Sequence, residues 1–385
     1  MKTFDTVIIG AGLAGLQCAK LIGLSGANVL LVDRKADPAK GIHTTGIFVR
    51  KTFEDFSFPA GALGRPIRSV TIYSPRMRPI ELTSEADEFR IGRMDLLYNA
   101  LLKECLDAGV EFMPSTRFFS TRAVNGQSTV ALEANGRQIK VGAKVLVGAD
   151  GANSAVAKAL GLDRNREMIV GVEEVYRRTH LHDKARLHCF LDAELAPGYL
   201  AWIADDGVEV HIGVGGYPSR FNPRTALERF KAKISRGVFD SGDIDFRESR
   251  GGCIPVGGIL RNIANERGLL IGDAAGAVSP LTAGGLDPCL RLSTFAANVI
   301  GMRITSGDPF ALSAYSGAAF RPRFTSRLWM RRVLASLRRQ TLLELGCTIL
   351  RCDLGRNFAK HVFFGRGSFP DVPLHNSSEI GVLQP

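Results

Sequence analysis

Thr3–Ile9 is a short apolar run of the kind that forms a strand buried on both faces. Apolar positions then recur at helical spacing over Leu13–Leu24, and Asn28–Val32 returns to a short apolar run, so the pattern predicts strand, helix, strand. The middle of the chain alternates extended and turn signals, with one clear helix predicted at Met94–Ala108. Lys144–Val147 reads as another buried strand, closed by Gly148-Ala149-Asp150-Gly151. Short strands are predicted at Arg186–Leu191, Tyr199–Ile203 and Val208–Val214. A helix follows, with Asn222 at the N-cap and Pro223 at the first helical position. Leu269–Ile271 restores the parallel-sheet pattern and leads through a glycine-rich loop into a helix from about Leu286.

The remainder is predicted to be mainly helical, and no repeat, low-complexity segment or long linker divides the chain. The expected fold class is therefore α/β. Residues 1–75, 90–165 and 260–310 are expected to form a discontinuous parallel-sheet unit, residues 76–89 and 166–259 a sheet-rich unit set into it, and residues 311–385 a helical region.

Composition adds little to that picture: 385 residues, 45% hydrophobic and 23% charged, as in ordinary globular proteins. Seven Cys are scattered singly, without CxxC or zinc-like spacing, which fits a reducing cytoplasm better than a disulfide framework. Cys347 and Cys352, the closest pair, are expected to pack in an apolar helix. Val7–Val32 is apolar enough to imitate a membrane helix. Its glycines and the flanking Asp5 and Asp33 argue for a soluble, cytoplasmic protein without an export signal.

Charge is uneven. The net +11 is concentrated in residues 321–366, where eleven Lys/Arg face Glu344 and Asp353. Arg327–Thr341 is amphipathic at helical period: Arg327, Arg331, Arg332, Arg338 and Arg339 fall on one arc, and Trp329, Met330, Val333, Leu334 and Leu337 on the other, with Leu328 an exception. Two readings follow. The helix packs on the body with a solvated basic face, or it meets a membrane surface peripherally and gathers a lipid. Nucleic acid is not an expected partner, because the basic residues belong to no recognisable binding module.

Gly10-Ala11-Gly12-Leu13-Ala14-Gly15 is a GxGxxG between strand and helix. Gly10 permits a tight turn, Gly12 lets backbone approach a pyrophosphate, and Gly15 allows close helix–strand packing. The free N–H groups at the start of the helix attract phosphate. Asp33, followed by Arg34, ends the next strand, where a carboxylate accepts hydrogen bonds from ribose hydroxyls. This much is common to FAD and NAD sites.

Two later segments separate them. Gly148-Ala149-Asp150-Gly151-Ala152-Asn153-Ser154 and Gly268-Leu-Leu-Ile-Gly272-Asp273-Ala-Ala-Gly276 resemble the second and third fingerprints of flavoproteins with the para-hydroxybenzoate hydroxylase fold. Arg93, in Ile91-Gly-Arg-Met-Asp-Leu96, is similar to that family's Arg near the cofactor phosphates and ribityl chain. Within the fold, Pro280-Leu281-Thr282-Ala283-Gly284-Gly285 after Gly272–Gly276 resembles the geranylgeranyl reductase group. So do Gly252–Gly258 and Pro197-Gly-Tyr199-Leu-Ala-Trp202-Ile-Ala204 with the glycine strand Val208–Gly216. In this chain an extra residue separates Tyr199 from Trp202, and Ala204-Asp205 replaces the group's Phe-Pro. Thr44-Thr45-Gly46 stands where the group carries a Cys.

The resemblance covers about residues 3–305. It implies a Rossmann-type FAD domain with an inserted sheet-rich substrate domain. FAD contacts are implied from Gly10, Gly12, Leu13, Ala14, Gly15, Asp33 and Arg34; from Thr45, Gly46, Arg93, Phe118 and Asp150; and from Gly272, Asp273, Pro280, Gly284, Gly285 and Leu286. The loop at Pro280–Gly285 before a helix suits negative charge on a reduced flavin. Tyr199, Trp202 and His211 are candidates for a substrate pocket, with plain sheet packing as the alternative.

The implied function is FAD-dependent oxidoreduction of a small apolar, isoprenoid or conjugated substrate, with NAD(P)H or another external electron donor. A monooxygenase of the same fold and a non-catalytic prenyl-lipid carrier are the alternatives. No acid or base is assigned beyond the flavin. Cys289 reads as a small buried side chain. His180, His182 and His188 lack the convergent carboxylates or cysteines a metal would need, so no metal is expected.

Overall fold

The structure is a computed structural model and describes residues 1–124, 127–180, 185–235, 244–368 and 372. Three sheets organise it. The first is eight-stranded and runs Ala264–Asn265, Gly268–Leu270, Arg137–Gly148, Thr3–Ile9, Val29–Val32, Glu111–Met113. Gln127–Ala134 and Thr116–Val124 extend Arg137–Gly148 as an antiparallel flap. Thr3–Ile9 pairs in parallel with both Arg137–Gly148 and Val29–Val32, and all four residues of Val29–Val32 are buried. That double burial is why these strands read as unbroken apolar runs. The helix Leu13–Leu24 has the predicted bounds and packs with Leu286–Ser306, where Gln17 donates to Thr294 at 3.4 Å.

The second sheet has seven strands in the order Ile244–Pro255, Met168–Arg178, Glu209–Gly216, Ala201–Asp205, Arg186–Phe190, Ser69–Tyr73, Pro79–Thr83. Its strands are antiparallel except at the Arg186–Phe190/Ser69–Tyr73 pair. Residues 69–73 therefore belong with the substrate-side sheet, although the sequence pattern places them in the parallel-sheet unit; their pairing with Pro79–Thr83 is a hairpin contact that apolar periodicity does not reveal. A small third sheet, Ile47–Val49, Phe89–Gly92 and Leu63–Ile67, joins the two units. The helix Pro223–Ile234 covers one face of the second sheet, and Asn222 caps it by accepting from Thr225 N–H, as predicted.

The predicted strand at Tyr199 begins two residues later, at Ala201, leaving Tyr199 in the preceding turn. Lys144–Val147 is the end of a twelve-residue strand. The C-terminal region is helical through Thr325–Ser336, Gln340–Leu350 and Asp353–Phe364, so the single helix expected at Arg327–Thr341 is broken after Ser336. Cys347 is buried in the second of these helices, whereas Cys352 is exposed and caps the third. Among the described residues, no helix is long and apolar enough to cross a membrane.

Candidate functional site

A cavity of about 780 Å³ runs from the first glycine turn, past the second sheet, to the C-terminal helices. Its polar end is built by backbone geometry. Gly10 has φ +108°, and a Cβ there would stand 2.2 Å from the Ala149 carbonyl oxygen. A Cβ on Gly15 would stand 1.8 Å from the Gly10 oxygen. These two glycines lie beneath the cavity and let the turn, the helix and the neighbouring strand close on one another. Gly12 does line the cavity, and nothing lies within 4 Å of where its Cβ would project. Space is thus left open at the N-terminus of Leu13–Leu24, where free N–H groups favour phosphate. Leu13 and Ala14 line the same wall.

Asp33 lines the cavity and accepts from Ala11 N–H at 2.7 Å and Lys35 N–H at 2.8 Å, which fixes its carboxylate at the mouth of the turn. Opposite lie Gly272 and Asp273, on a short 3₁₀ turn, with Gly284, Gly285 and Leu286 where the helix Leu286–Ser306 begins. Burial pushes the Asp273 carboxyl up to about 6, and its side chain receives no hydrogen bond from the described residues. Ala283 adopts a left-handed conformation (φ +52°), and Gly285 caps the helix without a side chain, leaving main-chain donors toward the cavity. In the first helical turn Asp287 is held by Arg291, at 3.0 Å, and by Thr52.

Other expected cofactor residues are placed elsewhere. Arg93 does not line the cavity: it pairs with Asp206 at 2.6 Å and Glu209 at 3.0 Å. Asp150 accepts from Ser154 Oγ and from the Ala155 and Val156 N–H groups, so it caps the helix Ala155–Leu160; burial pushes its carboxyl up against those bonds. Arg34 is exposed beside Asp33. Phe118 packs against the core from the antiparallel flap, and Pro280 is buried behind Leu281 and Thr282, which line the wall. Thr45 and Gly46 do line it.

The apolar end is formed from two sides. Tyr199 and Trp202 present their rings over the glycines of Glu209–Gly216: a Cβ on Gly213 would stand 2.3 Å from the indole, and one on Gly215 2.8 Å from the phenol ring. Those glycines make the flat bed that the two aromatics need. Facing them, Met330, Leu334, Leu343, Leu350 and Phe363 come from the three C-terminal helices, and Leu337 from the turn after the first. Cys289 also lines the cavity, and burial pushes its thiol up, in keeping with a small packed side chain.

His211 is wholly buried and does not reach the cavity. It stands behind Glu173, which does. Glu173 accepts from Thr45 Oγ1 at 2.6 Å and from Trp202 Nε1 at 3.2 Å, and its other oxygen is 3.4 Å from His211 Nδ1. Burial works against the Glu173 charge, but His211, Thr45 and Arg250 together hold its carboxyl below the usual range. Burial likewise opposes charge on His211, yet Glu173 and Glu209 hold its pKa above the ordinary value. Sequence reasoning missed Glu173. The signal was available: in Met168–Arg178 it shares the inward parity of Ile169, Gly171 and Val175, and an acid at such a position needs partners.

The C-terminal helix overturns the expected basic face. Arg327 and Arg331 are buried, while Trp329 and Val333 are exposed at the cavity rim. Arg331 lies 5.6 Å from the Tyr199 ring centre and 5.0 Å from that of Tyr217, and Arg327 reaches toward the Val362 carbonyl at 3.4 Å. The two expected arcs are not kept: the helix ends at Ser336, before Leu337, Arg338 and Arg339, and Arg332 is exposed while Arg327 and Arg331 are buried. Which side of the helix turns inward is decided by the aromatic partners, which lie far away in sequence. Among the described residues no cluster of three or more His, Cys, Asp or Glu is placed to hold a metal. His180 is exposed, His188 contacts Tyr73 at 3.3 Å, and His182 lies outside the described residues.

Known proteins resemble this arrangement along most of the chain. Digeranylgeranylglycerophospholipid reductase 2 of Methanosphaera stadtmanae is 26% identical over 79% of this chain and 79% of its own length. A geranylgeranyl bacteriochlorophyll reductase-like protein of Thermoplasma acidophilum superposes with a TM-score of 0.82 at 18% identity, covering 95% of this chain and 98% of its own. A flavin-dependent monooxygenase crystallised with FAD and substrate has a TM-score of 0.69 at 16% identity, over 95% of this chain and 72% of its own. The resemblance to geranylgeranyl reductases is thus borne out, and the fold is that of the para-hydroxybenzoate hydroxylase-like flavoenzymes. Residues 3–319 match the FAD binding domain family, and this chain belongs to that family as an FAD-dependent oxidoreductase.

Proposed function

We propose that the enzyme reduces carbon–carbon double bonds in isoprenoid chains of lipids, drawing electrons from an external donor of the nicotinamide or a similar class. The observation that carries this reading is the continuity of the cavity. One end has the glycine turn, Asp33 and Asp273; the other has an apolar wall of Tyr199, Trp202 and three C-terminal helices, with a rim open at Trp329 and Phe358. A long apolar chain fits such a wall, whereas a small charged aromatic acid would leave it unused. The names of the relatives support the same substrate class.

The donor set fits FAD. Gly12, Leu13 and Ala14 would take the pyrophosphate at the helix N-terminus, Asp33 the ribose, and Asp273 a hydroxyl of the ribityl chain. The Ala283–Leu286 segment would face the reactive ring, where its main-chain donors favour negative charge. FAD, when bound, supplies hydride transfer; the protein orients the substrate, keeps the pocket dry and manages the proton.

The test is anaerobic mixing of chemically reduced enzyme with digeranylgeranylglycerophospholipid in detergent, followed by absorbance of the oxidised flavin and by mass spectrometry of the lipid. Flavin reoxidation with a mass gain of two hydrogens per double bond supports the reading. Reoxidation only after oxygen is admitted, with an oxygenated product, points to the monooxygenase, and indifference to the lipid overturns the substrate class.

A further inference from the structure

Saturating a double bond takes a hydride and a proton, and the hydride alone leaves carbon charge unmatched. At the apolar end of the cavity Cys289 and Tyr199 are pushed up by burial, and Tyr199 spends its proton on the Thr282 carbonyl; Asp273, raised to about 6, belongs to the polar end. A buried chain of polar groups does reach the cavity wall. Starting at the surface, Glu209 is about a quarter exposed, and its Oε2 lies 3.7 Å from His211 Nε2. That nitrogen has no hydrogen-bond partner among the described residues, although the ring is fully buried. His211 Nδ1 faces Glu173 Oε1 at 3.4 Å, and Glu173 Oε2 accepts from Thr45 and Trp202. Of those two donors only the Thr45 hydroxyl can pass a proton onward, because an indole N–H does not exchange usefully near neutral pH.

We propose that Glu209, His211, Glu173 and Thr45 form a proton relay that leads from solvent to the cavity and delivers the proton of the reaction from the Thr45 hydroxyl. This rests on the reductive reading above. In the step, the electron pair of the double bond, with the hydride of the reduced cofactor added at one carbon, takes the Thr45 proton at the other. The Thr45 hydroxyl, which donates to Glu173 at rest, turns its proton to the substrate; as it leaves, Glu173 takes the His211 Nδ1 proton and passes one back to Thr45 Oγ1, and His211 is recharged at Nε2 from the Glu209 side. Charge and atoms balance, since one external proton enters as one enters the substrate.

The surroundings suit the task. His211 is faced by Glu173 on Met168–Arg178, by Glu209 on its own strand, and by Arg250 on Ile244–Pro255. Arg250 stands 4.0 Å from Glu173, and Arg93 anchors Glu209 at 3.0 Å. Against the burial that opposes charge, the two acids favour the charged imidazole, while the two arginines favour the charged form of the acids. Thr45 and Gly46 also occupy the stretch where the resemblance would place a cysteine, so this chain has a hydroxyl joined to an internal acid there.

Two measurements test the relay. The first reads histidine ring resonances of the labelled, FAD-loaded protein across pH, with His211 assigned from a His211→Gln variant. His211 should titrate above the ordinary imidazole value in the native protein, and its titration should move down by at least one pH unit in Glu173→Gln. Titration of His211 at or below the ordinary imidazole value, or identical titration in the two proteins, overturns the proposal. The second follows reoxidation of reduced enzyme by digeranylgeranylglycerophospholipid. Thr45→Val, which leaves the Glu173–His211 pair in place, should slow it by roughly a hundredfold, as expected for loss of a general acid. Thr45→Ser should restore most of the rate with a native His211 titration, and in Thr45→Val that titration should fall less than in Glu173→Gln. Thr45→Val reacting at the native rate overturns the relay. If the native enzyme itself ignores the lipid, the reductase reading fails and the relay's last step with it, and the histidine titration still decides whether Glu173 holds the proton on His211.

Discussion

The phenol of Tyr199 donates a 2.7 Å hydrogen bond to the main-chain carbonyl of Thr282. The bond ties the turn before Ala201–Asp205 to the loop that enters Leu286–Ser306, and so joins the substrate-side sheet to the segment proposed to face the flavin ring. Tyr199→Phe keeps the ring on its glycine bed but orphans the carbonyl. Leaving a fully buried acceptor unpaired costs about 1–3 kcal/mol, and the half-buried Thr282 carbonyl at the cavity wall costs less. The loop is expected to relax, with a shifted flavin absorption band and weaker FAD binding. A native spectrum and native urea midpoint in this variant would show that the loop holds its shape without Tyr199.

Asp273 gives a pH dependence with a definite sign. In the FAD-free protein its carboxyl is pushed up to about 6 by burial, against an unfolded value near 3.8. A raised carboxyl pKa contributes stability that is present below the unfolded value and is lost as pH rises through about 6. Accepting a hydroxyl of FAD favours the charged form, so binding should release a proton. FAD affinity should therefore rise between about pH 4 and 6 and level off above. Asp273→Asn should abolish that slope. Asp273→Ala should weaken binding by roughly ten- to a hundredfold, the value of about 1.5–3 kcal/mol for a lost charge-assisted hydrogen bond. Fluorescence titration of the apoprotein at several pH values measures both, and a flat native profile would remove Asp273 from the cofactor site.

The glycine turn, the helix Leu13–Leu24 and the cap at Asn222 were legible because each is punctuated locally: Gly10–Gly15 frames one start, and Asn222-Pro223 the other. The placing of Arg93 and Asp150 was not. Each is a charged residue in a motif known for cofactor contact, but each spends its charge on partners that no motif mentions: Asp206 and Glu209 for one, the start of Ala155–Leu160 for the other. His211 was drawn to the right neighbourhood and one layer too close to the cavity, because strand parity does not say which buried acid stands in front of it. Residues 69–73 were assigned to the wrong unit for a related reason, since sheet membership depends on a partner strand remote in sequence.

Arg331 is a buried cation whose three guanidinium nitrogens have no hydrogen-bond partner among the described residues. Its contacts are the faces of Tyr199 and Tyr217. A desolvated cation–π contact contributes about 2 kcal/mol, against a burial penalty of several kcal/mol for the charge. Arg331→Met, which preserves most of the volume, is accordingly expected to leave the fold as stable or to raise its urea midpoint. Arg331→Ala should lower it through lost packing. Marked destabilisation by the Met variant would mean that the charge has a partner, such as an anionic group of the substrate, and that the site extends to this helix.

The reversed C-terminal helix changes what a membrane experiment should look for. With Arg327 and Arg331 buried, only Arg332, Arg338 and Arg339 remain exposed from the expected basic arc. At about 1 kcal/mol each near an anionic surface, they supply less than five would. The apolar contribution is larger than the arc model allowed. Trp329 is 67% exposed, Leu354 83%, Ile349 61%, Leu345 60% and Phe358 53%; Trp329, Ile349 and Phe358 also line the cavity. Apolar side chains gathered at a cavity rim are the arrangement by which a lipid tail would pass from bilayer to pocket without crossing water. Vesicle co-sedimentation should then persist at high salt, even though screening falls from about 10 Å at 0.1 M to about 3 Å at 1 M. A Trp329/Leu354/Phe358→Gln variant should lose most of its binding to neutral vesicles. An Arg332/Arg338/Arg339→Gln variant should lose only the preference for anionic ones. Binding that vanishes in salt and ignores the three apolar replacements would return the contact to simple electrostatics, and no binding by the native protein would leave the rim as an entry for substrate delivered some other way.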